Sequence, residues 1–446
     1  MPEQSPQANN KLVPGYLPLE IVSMIVKYFA AQLEIIPSDP MNSADEPFMY
    51  LPETKKLLNL RLVSKIWAHV VIPIAFHSIR LISPHSVDCL RNNQQDSILY
   101  STFSPVKRMC IENLFWEKSH WLNSDGELDE EKELKTLDPQ FPLVLRVSDV
   151  IELFGIKLTE LKLKFPARIG IDSDMMCAIK QIKCLKKLNI HSEELPEGSY
   201  ADPKSLAELL NATPNLESLS IYFPHLEVLQ LEPQALSKLR HLWFWYSPRN
   251  IKGLHHLIKA AKDSLKVIEY LAYHRQEDPG KAIKPMHKTL ESLFIDIIPD
   301  HIPDVISNTT FPRLRVMRSI EWPLKDFDLT WILWPIFFHV RTLVTSFECG
   351  RPYWRSALEN LGEDDLTRSP NLKHIVFTSH PDDVIQQDEA LAEDLRIHGI
   401  YCHFMPQMNY ERILELDLDL NGPMESSYQD ENFIDAVEVE EPEVQF

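Results

Sequence analysis

LPLEIVSMIVKYF (residues 17–29), read with LLNLRLVSKIW (57–67), decides how the chain is organised. In the first stretch Leu17, Ile21, Met24, Ile25, Tyr28 and Phe29 fall on one side of a 3.6-residue wheel, which predicts an amphipathic helix. Pro18 suits the first turn, where a missing N–H costs nothing, and Glu20 faces the positive end of the helix dipole. The second stretch puts Leu58, Leu62, Ile66 and Val70 on one stripe, with Leu60, Val63 and Trp67 beside it. Two short helices cannot bury that much apolar surface against each other, so the excess predicts docking onto something else.

Working outward, FHSIRL (76–81) opens a recurring pattern, apolar-x-x-apolar-x-apolar. It returns as Leu158/Leu161/Leu163, Leu185/Leu188/Ile190, Leu216/Leu219/Ile221, Leu239/Leu242/Phe244, Leu265/Ile268/Tyr270 and Leu290/Leu293/Ile295, and in weaker copies as far as Leu372/Ile375/Phe377. From Leu158 to Leu372 the steps are 27, 31, 23, 26, 25, 24, 26 and 32 residues. Spacing of this kind clusters around the 20–29 residues of a leucine-rich repeat, in which a short strand alternates with a return segment and stacked neighbours share a core. HLEVLQL (225–231) fits the same pattern and leaves the register between 216 and 244 open. ELDLDL (415–420) alternates strictly and is expected to be a terminal edge strand or the start of the tail.

The 446 residues are too many for one ordinary core, and 44% hydrophobic content is that of a globular protein. Glycine is scarce at 11 residues, and no phosphate-cradling or dinucleotide glycine pattern is present, which argues against most nucleotide-dependent enzymes. The net charge of −20 repels nucleic acid and anionic membrane, and the segment from Asn421 to Phe446 supplies −8 of it with eight acids and no Lys or Arg. Six cysteines stand without any C-x-x-C pair, so neither a zinc site nor a disulfide framework is read. There is no apolar signal core at the N-terminus, and the most apolar run, WILWPIFF (331–338), is far short of a bilayer span. The expectation is a soluble intracellular protein of cytoplasm and/or nucleus. No catalytic motif stands out, His255-His256 lacks a further ligand at helical spacing, and no catalytic, cofactor or metal site is expected.

Strand alternation puts the residues between the leucines on the opposite, concave face, where they are expected to be exposed: His241, Trp243 and Trp245, with Tyr222 and Phe294 on neighbouring units. An aromatic strip of this kind is the composition of a protein-binding hot spot. The competing expectation is that loops or the C-terminal segment fold over these residues as added core.

Leu17-Pro18-x-Glu20 with Leu60-Arg61-Leu62-Val63-Ser64-Lys65-x-Trp67 resembles an F-box, and the chain as a whole resembles the F-box proteins with degenerate leucine-rich repeats that are numerous in filamentous fungi. It departs from the pattern twice. Residues 30–56, with SDPMNSADEP (38–47), replace the usual short turn and are expected to loop out of the way. The Asn or Cys that usually closes each repeat is replaced by Pro166, Glu193, Pro224, Ser247, Tyr273 and Ile298.

The resemblance implies an α/β repeat fold. A flexible arm (1–16) and a small helical F-box (17–75) would be followed by a leucine-rich-repeat-like solenoid or horseshoe (76–420), interrupted by a charged insertion at 117–138 and ended by a disordered acidic tail (421–446). It also implies a substrate-recognition subunit of an SCF-type cullin-RING ubiquitin ligase, not itself an enzyme. Leu17, Pro18, Ile21, Ile25, Leu60, Val63 and Trp67 would then meet the Skp-type adaptor, and through it a cullin, while the repeats hold a protein target. A repeat scaffold acting outside any ligase is the alternative.

Overall fold

The computed structural model describes residues 17–82, 105–112, 143–165, 173–192, 203–272, 279–323, 327, 329–359, 371–379 and 385–424. The expected arm and charged insertion lie outside these residues, as does the acidic tail beyond 424. The chain opens with α1 (Leu19–Ala30), then β1 (Ile35–Ile36) and β2 (Phe48–Met49), which pair antiparallel, and α2 (Leu51–Asn59). A single 3-10 turn (Leu60–Leu62) leads into α3 (Lys65–Ala75). The second signature stretch is therefore not one helix. Ser64, extended and accepting from the Trp67 N–H, caps α3 and restarts the backbone hydrogen bonding there. Val22, Val26, Leu57, Val70, Val71 and Ala75 form the core of this helical unit.

Twelve strands follow: β3 (Ser78–Leu81), β4 (Arg108–Glu112), β5 (Glu160–Phe165), β6 (Lys187–Ser192), β7 (Ser218–Tyr222), β8 (His241–Tyr246), β9 (Val267–Ala272), β10 (Ser292–Ile297), β11 (Val316–Glu321), β12 (Thr342–Ser346), β13 (His374–Ser379) and β14 (Tyr401–Pro406). They form one sheet in sequence order, and every neighbouring pair is parallel. Between them run α4 (Leu143–Phe154), α5 (Ser173–Lys180), α6 (Pro203–Ala212), α7 (Ile251–Ala261), α8 (Gly280–Ile283), α9 (Asp304–Ser307), α10 (Phe347–Glu359) and α11 (Glu389–Ile397). The last helix, α12 (Tyr410–Asn421), follows β14.

The architecture corrects the expectation of a small helical F-box followed by a separate leucine-rich-repeat-like solenoid. It is an α/β fold built on one twelve-stranded, all-parallel sheet with interspersed helices. The repeated leucines mark strands, since Leu161 and Leu163, Leu188 and Ile190, Leu219 and Ile221, and Leu242 and Phe244 are all buried in the principal core. HLEVLQL forms no strand. It lies against α7 instead, where the Gly253 N–H donates to the Leu226 carbonyl at 3.2 Å, and a side chain at Gly253 would meet the Glu227 carbonyl oxygen at 2.6 Å.

ELDLDL is not a strand either but the end of α12. Asn409 caps this helix by accepting from the Arg412 N–H at 2.9 Å, and Ile413, Leu416 and Asp417 turn to the sheet at helical spacing. Nor does the segment between α1 and α2 loop away. Residues 39–47, the strap below, lie across the sheet face opposite the principal core. Beside them Tyr410, Ile413 and Leu416 of α12 close over Val267, Phe294, Val316, Val344 and Val376.

Candidate functional site

Two surfaces carry chemistry beyond packing. The first is the outer side of the helical unit. Because Val22 and Val26 take the inward face of α1, Leu17, Leu19, Ile21, Met24, Ile25 and Tyr28 stay exposed, Met24 at 67% and Tyr28 at 70%. Leu51, Leu62 and Val63 add 63%, 78% and 62% exposed side chains from α2 and the turn after it. Exposure on this scale over two adjoining segments is the mark of an interaction site rather than of scattered surface leucines. Of the residues expected at the adaptor, Leu17, Pro18, Ile21, Ile25 and Val63 are exposed. Leu60 and Trp67 are only partly so and pack against the helical core.

The second surface is the sheet face under the strap. Parallel pairing aligns Arg108, Glu160, Lys187, Ser218, His241 and Val267 in one row, and Lys162, Asn189, Ser220, Trp243, Glu269, Phe294 and Arg318 in the next. Alternation sends both rows to the same face. The strap crosses them from β11 to β4. Arg318 donates to the Pro40 carbonyl at 2.5 Å and to Glu269 at 2.8 Å, and the Trp243 indole N–H donates to the Met41 carbonyl at 2.5 Å. Glu269 accepts the Ser43 N–H on both oxygens, at 3.1 and 2.9 Å, and also takes the Ser43 hydroxyl. Further along, Lys162 reaches Asp45 at 2.6 Å and Lys187 reaches Glu46 at 2.9 Å. Arg108, paired with Glu160 at 2.7 Å, donates to the Glu46 and Pro47 carbonyls, both at 3.0 Å. The Tyr410 N–H donates to the Ser43 carbonyl at 3.0 Å, and its ring stacks on His241 at 4.3 Å.

The exposure expected for the aromatic strip is corrected by this cover. His241 is 0% exposed, Phe294 1%, Trp243 4% and Trp245 7%. Tyr222 is partly exposed and stacks on Trp245 at 4.6 Å and on His191 at 4.1 Å. Ser43, His241 and Glu269 converge, yet the arrangement is not that of a nucleophilic triad. The serine hydroxyl bonds the carboxylate, the His241 Nε2 stands 3.5 Å from that hydroxyl, and all three residues are sealed from solvent. The hollow beside Met41, Glu269, Phe294 and Arg318 is too narrow to admit a water molecule. Among the described residues no group of three or more His, Cys, Asp or Glu could hold a metal ion, and no helix is long and apolar enough to cross a membrane.

Burial alone would raise the Glu46 carboxyl, but Arg108 and Lys187 outweigh it and hold the group below the ordinary carboxylate value. Its contribution to strap docking is therefore fully present above the unfolded value of about 4.5 and is lost as pH falls through the lower folded value. Asp39 and Glu160, raised chiefly by burial, act in the opposite sense. A difference measurement separates the signs. Glu46→Gln is expected to lower the urea midpoint at pH 7, and the gap to the unsubstituted protein should close as pH is taken below 4. A gap that persists unchanged in acid would remove Glu46 from the anchoring set.

No family model matches the chain, and no curated protein matches it.

Proposed function

We propose that this protein is a substrate-recognition subunit of an SCF-type ubiquitin ligase, with α1 and the segment through α3 docking on a Skp-type adaptor and the sheet body presenting a protein target. The observation that carries the reading is the uncovered apolar face of Leu17, Ile21, Met24, Ile25, Leu62 and Val63 on a unit whose own core is already complete without them. Sequence supports the same partner, because Leu17-Pro18-x-Glu20 and Leu60 to Trp67 resemble the F-box signature. In this reading the chain supplies proximity and orientation while its partners perform the ubiquitin transfer.

Co-expression with a Skp-type adaptor and pull-down tests it. The unsubstituted chain is expected to bind, and Leu17→Ala/Ile21→Ala, which leaves Val22 and Val26 in place, is expected to bind at least tenfold more weakly with unchanged thermal stability. A folded chain that binds no adaptor would sink the reading. Adaptor capture without cullin recruitment would instead assign a protein-interaction scaffold outside any ligase.

A further inference from the structure

The sheet face under the strap does not hold it as a core holds a loop. The strap's side-chain contribution to an apolar cluster is Ala44. Its hold comes instead from sheet side chains reading its main chain: Arg318 on carbonyl 40, Trp243 on carbonyl 41, Glu269 on amide 43, and Arg108 on carbonyls 46 and 47. Side-chain specificity is added at five positions, the first being Asn42, which is 3% exposed and accepts the Ser220 hydroxyl at 3.4 Å. Ser43 and Ala44 are 3% and 8% exposed, so only small residues fit there, and Lys162 and Lys187 take the two acids that follow. The strap is bound as a pair of turns: the Asn42 N–H donates to the Asp39 carbonyl and the Asp45 N–H to the Asn42 carbonyl, each at 3.0 Å, and the Asp39 N–H donates to the Asp45 carboxylate at 2.9 Å. Backbone groups of that turn shape give affinity, and a few pockets and charges give selectivity.

We propose that the face spanning β4 to β11 is a binding surface for a turn-forming acidic peptide of another protein, an Asn and two small residues followed by two carboxylates, and that residues 39–47 occupy it in cis as a stand-in for that peptide. The strap and the face beneath it carry complementary charges. Arg108, Lys162, Lys187 and Arg318 gather on one face of a chain whose net charge is −20; Glu160 and Glu269 of the same face pair with Arg108 and Arg318, which leaves Lys162 and Lys187 opposite Asp45 and Glu46 of the strap. A tethered occupant competes at an effective concentration in the millimolar range, so a free peptide must act on the minor, strap-open population. This peptide partner is distinct from a Skp-type adaptor, and its binding requires no adaptor docking.

The test replaces residues 39–47 by a Gly-Ser linker of equal length and titrates the folded variant with a fluorescent peptide of residues 37–49. Saturable binding that weakens with added salt is expected. Reversing the acids in the peptide (D45K/E46K) should weaken it at least tenfold, and the intact chain should bind the unsubstituted peptide at least a hundredfold less well. No binding to the folded variant, or equal binding of the charge-reversed peptide, overturns the proposal. Should the linker variant fail to fold, hydrogen exchange on the intact chain decides. The Ser43 and Ala44 amides are expected to exchange through local opening well before those of β8 and β9. Exchange of the strap only together with those strands overturns the proposal, because a cover that never opens cannot be traded for a partner. No adaptor enters either measurement, so the two readings fail separately.

Discussion

Glu269→Ala is expected to lower stability by about 3–5 kcal/mol in urea unfolding and to strip exchange protection from the strap, the cost typical of removing one partner from a buried, hydrogen-bonded ion pair. The carboxylate is 2% exposed and serves the Ser43 amide, the Ser43 hydroxyl, His241 at 3.2 Å and Arg318 at 2.8 Å. Its loss leaves a guanidinium and an amide without their acceptor in a place water does not reach. Two companions define the cause. Glu269→Gln keeps an acceptor for the amide and should cost less than Glu269→Ala. Glu269→Leu/Arg318→Met removes both charges and should recover part of the loss, since two buried charges are costlier to strand singly than to delete together. A Glu269→Ala protein within 1 kcal/mol of the unsubstituted one would mean that the strap is held by something other than this carboxylate.

Asp417→Ala is expected to have an effect of the same order, about 3–5 kcal/mol, through the other cover of the same face. Asp417 is 0% exposed and accepts from Arg315 and Arg341, each at 2.5 Å, from the Thr342 hydroxyl at 2.8 Å and from Asn421 at 3.1 Å. It is the polar pin that fixes α12 on β11 and β12, beside the apolar contacts of Ile413 and Leu416. Asp419, two residues on, is the control. Its pair with Arg412 spans 3.3 Å between side chains that are 63% and 48% exposed, and Asp419→Ala should cost less than about 1 kcal/mol. Equal losses at the two positions would show that Asp417 contributes no more than a surface pair.

The strands were legible because their signal is local: Leu161/Leu163 or Leu242/Phe244 alternate within one segment, and period two needs no partner to be read. The first helix was legible for the same reason. What alternation cannot carry is whether a face is covered. It put His241, Trp243 and Phe294 on the side away from the leucines, and burial then came from residues far off in sequence. The strap itself was opaque. SDPMNSADEP is polar and acidic, the composition of a solvated loop, and the cations that bind it stand singly on strands 61 to 278 residues away. ELDLDL misled because strict alternation imitates a strand; its helix is fixed by Asn409 before it and by the buried pin at Asp417. The assembly of the strands into a single parallel sheet rests on hydrogen bonds between segments and could not be read from their spacing. Of the candidate site, the apolar excess on α1 was visible at once, since a helix wheel shows more apolar surface than one neighbour can cover.

The strap's route also sets an order of events at the ribosome. α1 to α3 pack from contacts within one short stretch and can form as soon as that stretch emerges. The strap cannot close then, because Glu269 lies 226 residues downstream of Ser43 and Arg318 lies 278 downstream of Pro40. At about 5–20 residues per second, synthesis of that interval takes on the order of 14–56 s. Throughout it the nascent chain carries a finished helical unit and an unfastened acidic segment. Closure then completes the tertiary structure, together with the arrival of Tyr410 on His241. A ribosome stalled before codon 318 would therefore display the helical unit and its exposed apolar face without the locked body.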